Sequence, residues 1–167
     1  HSDIYATRQT GFGMIATGSI QEIMDLAGVA HLSAIKSRVP FMHFFDGFRS
    51  SHEIQKVELL ETEDMKKLID RDAVQAFRNN ALNPENPVTR GTAQNPDIFF
   101  QAKESVNTFY EPLADIVAGE MKKISELTGR DYKPFTYYGD PAAENIIVAM
   151  GSVTSTIKET IDYLNAK

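Results

Sequence analysis

A capped amphipathic segment that runs into a six-residue apolar stretch limits the fold more than any other feature. Ser19 and Glu22 form a Ser-x-x-Glu pair, in which each side chain can serve a backbone N–H that a helix start leaves unpaired. Behind it, Ile20, Ile23, Met24, Ala27, Ala30, His31, Ala34 and Ile35 recur three and four residues apart. That spacing predicts a helix ending near Lys36 or Ser37, with this set as its buried face and His31 as a hydrogen-bonded core histidine. Pro40 to Phe45 then forms a short aromatic-rich run closed by Asp46-Gly47, the length and composition of a buried strand. Helix, short connection, buried strand and polar turn make half of a βαβ unit. The expected class is α/β, a mostly parallel sheet flanked by helices.

The flanking sequence extends that pattern. Gly11, Gly13 and Gly18 among small and apolar residues read as a tight connection with close backbone approach. Ile54 to Leu60 alternates weakly and could be a second short strand. Thr62 opens a helical pattern through Met65, Leu68, Ile69, Ala73, Ala76 and Phe77, in two pieces. Prolines at 84, 87 and 96 mark a long loop. A helical region follows from about Asp97 to Leu127, broken near Pro112 and ended by Thr128-Gly129. Asn145 to Ser152 reads as another buried strand with a glycine turn, and Thr154 or Ser155 opens a helix that uses Ile157, Ile161 and Leu164. A strand, a glycine and a helix look like the start of a new α/β domain. The expected boundary lies at residues 139–144, dividing the chain into 1–140 and 141–167.

Composition excludes several functions. The 167 residues carry a net charge of −6 with scattered Lys and Arg, so no basic stripe exists for a phosphate backbone and nucleic acid is not an expected partner. No apolar run approaches the roughly 20 residues that span a bilayer, so no membrane partner is expected. With no cysteine, disulfides, thiolate zinc sites and cysteine-held clusters have no ligands in this stretch. The chain opens on His1 without Met and enters patterned sequence at once, which reads as a piece of something longer.

The chemistry-bearing residues give no activity by themselves. Gly11-x-Gly13-x4-Gly18 matches neither G-x-G-x-x-G nor a P-loop, so close packing is preferred to a phosphate cradle. His43, Asp46, His52 and Glu53 could offer metal ligands, but a hydrogen-bonded cluster at a strand end is the simpler reading. Arg8, Arg49 and Arg90 sit beside turn residues, where an arginine can clamp a carboxylate or hold a loop or a neighbouring domain.

Three stretches go further: residues 3–14, DIYATRQTGFGM; residues 39–56, VPFMHFFDGFRSSHEIQK; and residues 90–97, RGTAQNPD. In order and spacing they resemble the pyruvate:ferredoxin (flavodoxin) oxidoreductase family, and the resemblance covers essentially the whole chain. It implies a large, usually dimeric cytosolic enzyme that oxidatively decarboxylates pyruvate on thiamine diphosphate with Mg2+. Electrons then pass through [4Fe–4S] clusters to ferredoxin or flavodoxin, with coenzyme A taken to acetyl-CoA. It also implies that residues 1–140 are the later part of the thiamine-diphosphate-binding domain on the cofactor's pyrimidine side. Residues 141–167 then begin a domain similar to the transketolase C-terminal domain.

The same resemblance places the family's substrate- and cofactor-contacting motifs outside His1–Lys167, so no catalytic, metal or direct cofactor residue is assigned. Arg8, Thr10 and Gly11 are expected to shape the wall near the thiamine site. Asp46, Arg49, His52 and Glu53 are expected to fix contacts with the remaining domains or a dimer partner. The competing reading is a free-standing, non-catalytic binding or assembly module on the same fold. Exposed apolar edges would favour the fragment, and a fully capped domain the module.

Overall fold

The computed structural model describes residues 2–89 and 93–167. The elements follow in the order α1 (Ser2–Thr7), β1 (Gly13–Thr17), α2 (Ile20–Ser37), β2 (Phe41–Phe45), α3 (Arg49–His52), α4 (Thr62–Leu68), α5 (Arg71–Asn79), α6 (Pro96–Ser105), α7 (Asn107–Tyr110), α8 (Leu113–Thr128) and α9 (Val153–Asn165). Strands β1 and β2 pair in parallel, from Gly13 opposite Phe41 to Thr17 opposite Phe45. Helix α2 connects them and packs on both strands and on α8. The expected α/β class, a parallel sheet flanked by helices, is the class observed.

Local chemistry explains the ends of α2. The Ser19 hydroxyl accepts from the N–H of Glu22, and the Glu22 carboxylate accepts from the N–H of Gly18 at 2.7 Å. The reciprocal partner is therefore one residue earlier than a standard capping box places it. At the other end Arg38 adopts the left-handed conformation, and its N–H closes on Ala34 O. The core is Ile15 of β1, Leu26, Val29 and Ala30 of α2, and Met121 and Ile124 of α8, with Phe41, Leu60, Met65 and Leu68 packed around it.

Several expectations change. The buried face of α2 is Asp25, Leu26, Val29, Ala30, Leu32, Ser33 and Ser37, which shares only Ala30 with the expected stripe. Met24 and His31 are exposed. Asp25, Ser33 and Ser37 sit inside the stripe, so an apolar-only count rotates the face away from its true position. Residues 13–17, read as part of a connection, form β1 with alternating burial. Gly13 is small enough there for the Phe41 ring, which would lie 2.8 Å from an added Cβ. Strand β2 is half-buried rather than buried, because the sheet holds two strands among the described residues and β2 keeps an open edge.

Residues 54–60 are irregular, not a strand. Residues 145–150 also lack strand pairing, and Ile146, Ile147 and Val148 are 67%, 78% and 87% exposed. A strand needs a neighbour's N–H and C=O groups, and neither segment has a paired edge among the described residues. The helical region broken near Pro112 resolves into α6, α7 and α8, with Gly129 as the left-handed cap of α8.

Candidate functional site

The carboxyl ends of β1 and β2 meet the amino end of α9, the position where open α/β sheets receive ligands and partner domains. Asp46, one residue past β2, accepts a short hydrogen bond from the N–H of Ser152. A side chain at Gly18 would meet the Gly151 carbonyl oxygen at 2.7 Å, and one at Gly151, whose φ is +81°, would meet the Asp46 carboxylate. Two glycines and a carboxylate thus let the start of α9 seat directly on the strand ends. The Ser152 hydrogen bonds hold the Asp46 carboxyl below its ordinary value, against a smaller opposing effect of burial. Beside it, Thr17 Oγ donates to Phe44 O and lies 3.2 Å from His43 Nε2. Burial lowers the pKa of His43, with a contribution from His31.

The other candidates beyond β2 behave separately. The Arg49 guanidinium makes no side-chain bond or ion pair among the described residues. His52 Nδ1 lies 2.7 Å from the Ser51 hydroxyl, and Glu53 accepts from Gln55 at 2.7 Å. Among the described residues, no group of three or more His, Asp or Glu is arranged to hold a metal ion. Arg8, Thr10 and Gly11 lie at the opposite end of β1. Five residues of strand, roughly 16 Å at 3.3 Å per residue, separate them from the Asp46 joint. Arg8 donates to Tyr5 O and stacks on the Tyr5 ring, and Thr10 donates to Thr7 O. Gly11, with φ of +93°, leaves room for the Tyr110 hydroxyl, which donates to Gly11 O at 2.7 Å. Arg90, with Gly91 and Thr92 of the third stretch, lies outside the described residues.

Two buried carboxylates escaped the sequence reading. Asp25 is fully buried and accepts from Arg130 Nε at 2.7 Å, Arg130 Nη2 at 3.2 Å, the Tyr132 hydroxyl at 2.6 Å and the Gln21 amide at 3.2 Å. Arg130 also reaches Glu58 at 2.6 Å, and the Gln21 side chain bonds both the N–H and the carbonyl of Glu58. The hydrogen bond to Asp25 holds the Arg130 guanidinium above its usual value. Burial, reinforced by Asp25, pushes the Tyr132 hydroxyl up. Glu120, 1% exposed, is held by Lys123 at 2.8 Å and by Lys36 at 3.4 Å. The available signal was an acidic residue one helical turn before Val29, in line with Leu32, on a helix otherwise rich in apolar residues.

Those pairings decide how thiamine diphosphate fits this stretch. The cofactor's ring needs a carboxylate with an open oxygen, and its diphosphate needs a metal held by converging oxygen ligands. Both buried carboxylates here already face cations, so they serve the fold.

Residues 1–122 match the model of the family described as pyruvate flavodoxin/ferredoxin oxidoreductase, thiamine diphosphate-binding. The chain belongs to this family. The match ends inside α8. The whole chain aligns at 61% identity with the pyruvate-flavodoxin oxidoreductase of Enterobacter agglomerans and at 57% with the pyruvate:ferredoxin oxidoreductase of Moorella thermoacetica. It aligns at 48% with the pyruvate dehydrogenase [NADP(+)] of Cryptosporidium parvum. The chain spans 14% of the length of each of the first two relatives and 9% of the third.

Proposed function

We propose that this chain is an internal scaffold stretch of a thiamine-diphosphate-dependent pyruvate oxidoreductase. The longer protein would oxidatively decarboxylate pyruvate to acetyl-CoA and CO2 and pass electrons to ferredoxin or flavodoxin. Thiamine diphosphate, Mg2+, [4Fe–4S] clusters and coenzyme A would be held by its other parts, and it would act as a homodimer in the cytoplasm. Among the described residues, no helix is long and apolar enough to cross a membrane. The observation that carries the reading is the full-length match to three relatives with pyruvate in every name.

Within that protein the boundary near residues 139–144 would separate two domains, with Asp46, Arg49, His52 and Glu53 at the contact between domains or subunits. The Asp46–Ser152 bond supports this for Asp46. Arg8, Thr10 and Gly11 would bound the thiamine site from the amino end of β1. The exposed Ile146, Ile147 and Val148 favour a fragment over a self-contained module.

The longer protein should show pyruvate- and coenzyme-A-dependent reduction of ferredoxin or flavodoxin, and the 167-residue chain should show none. Turnover by the short chain, or no pyruvate-dependent reduction by the long one, overturns the proposal. In the long protein Arg8→Ala should weaken thiamine diphosphate binding. Unchanged affinity and turnover would remove Arg8 from the wall.

A further inference from the structure

Phe48, three residues beyond β2, combines features that packing within this chain does not explain. Its backbone sits at φ 57°, ψ −61°, and the N–H of Arg49 bonds to Gly47 O at 2.6 Å. That is a classic γ-turn centred on Phe48, a conformation that is rare and strained for a residue with a side chain. Glycine would adopt it freely, yet the glycine is at 47, which is not among the positive-φ residues. The ring gains no burial in return, since Phe48 is 89% exposed. It is nevertheless held: the His52 ring stacks on it at 5.9 Å with an interplanar angle of 18°. A strained backbone and a stacked histidine thus hold an aromatic ring out into solvent, next to the joint where α9 meets the strand ends.

We propose that Phe48 is a docking anchor that inserts into an apolar recess with an acidic rim, supplied by a part of the same polypeptide outside residues 1–167. Rigid exposed aromatics are the side chains that dominate interfaces, and backbone strain kept without local benefit marks a functional contact. The acidic rim follows from Arg49, the next residue in the chain, whose guanidinium has no hydrogen-bond or ion-pair partner among the described residues. A second copy of this stretch fits poorly. Of two concavities among its described residues, one of about 350 Å3 carries Lys103 beside Phe99 and Phe100, and a second of about 150 Å3 is lined by His31, His43, Phe41 and three alanines. Neither offers a carboxylate to Arg49, and Lys103 would repel it. Relatives of which this chain spans 14% leave ample polypeptide to supply the recess. The proposal rests on the interdomain reading of this loop and names the residue that carries it.

The test uses the full-length protein with the photo-crosslinking residue p-benzoylphenylalanine in place of Phe48 and, separately, in place of His52. After irradiation, the position-48 probe should yield an adduct within one polypeptide, to a peptide outside residues 1–167. An adduct that joins two polypeptides, one confined to residues 1–167, or none at all overturns the proposal. A position-52 adduct to another domain, with none from position 48, overturns it while leaving the interdomain reading intact. Phe48→Gly, which accepts the turn without strain, should raise amide exchange across residues 47–53 at least tenfold. Wild-type protection in that variant also overturns the proposal.

Discussion

At Asp25 a single carboxylate gathers Arg130, Tyr132 and Gln21 and, through two of them, the irregular segment around Glu58. Removing it leaves the Arg130 guanidinium without its main partner. Breaking a buried pair commonly costs about 3–5 kcal/mol. Arg130 keeps 26% of its side chain exposed and can recover some hydration, so Asp25→Ala should cost about 3 kcal/mol, the low end of that range. Urea unfolding gives the value, and a loss below about 0.5 kcal/mol, a typical surface effect, would show that Asp25 is not a keystone. Such residues are hard to read in advance. Asp25 looks like any helical acid, and its partners lie 105 and 107 positions away. Phe48 is similar: a phenylalanine between Gly47 and Arg49 carries no sign of its positive φ.

For elements, legibility followed the range of the interactions that form them. The start of α2 was readable because a helix cap is a contact over three or four residues. Ser19→Ala should cost about 1 kcal/mol, seen as a lower unfolding midpoint. Gly18→Ala would instead push on the Gly151 carbonyl and loosen the attachment of α9. Strand β2 was legible from its continuous apolar run, and the break between α7 and α8 from Pro112. Strand β1 was missed because its five residues, Gly13 to Thr17, include two small ones and no strong local signal. Only pairing with β2 makes it a strand. The converse holds for residues 145–150, where Ile146, Ile147 and Val148 have strand composition but no paired neighbour among the described residues.

Across the whole molecule, the Asp46 joint links the strand ends to α9, and it should be sensitive to acid. The folded state holds the Asp46 carboxyl below its unfolded value, near 3.9 for an ordinary aspartate. Its contribution is therefore fully present above about pH 4 and is lost as pH falls through the folded-state value. In Asp46→Asn the acid limb of the unfolding midpoint should flatten relative to wild type. An unchanged limb would mean that Ser152 does not depend on the charge. The α/β class, the capped helix before an apolar strand and the family were all legible from residue order, because these rest on short-range patterns and on long runs of particular residues. Tertiary structure alone decided which face of α2 is buried, that two carboxylates are neutralised inside the fold, that Gly18, Asp46 and Gly151 meet, and that Phe48 faces solvent. Each of those depends on groups distant in sequence arriving at one place, where packing and charge neutralisation override local preference.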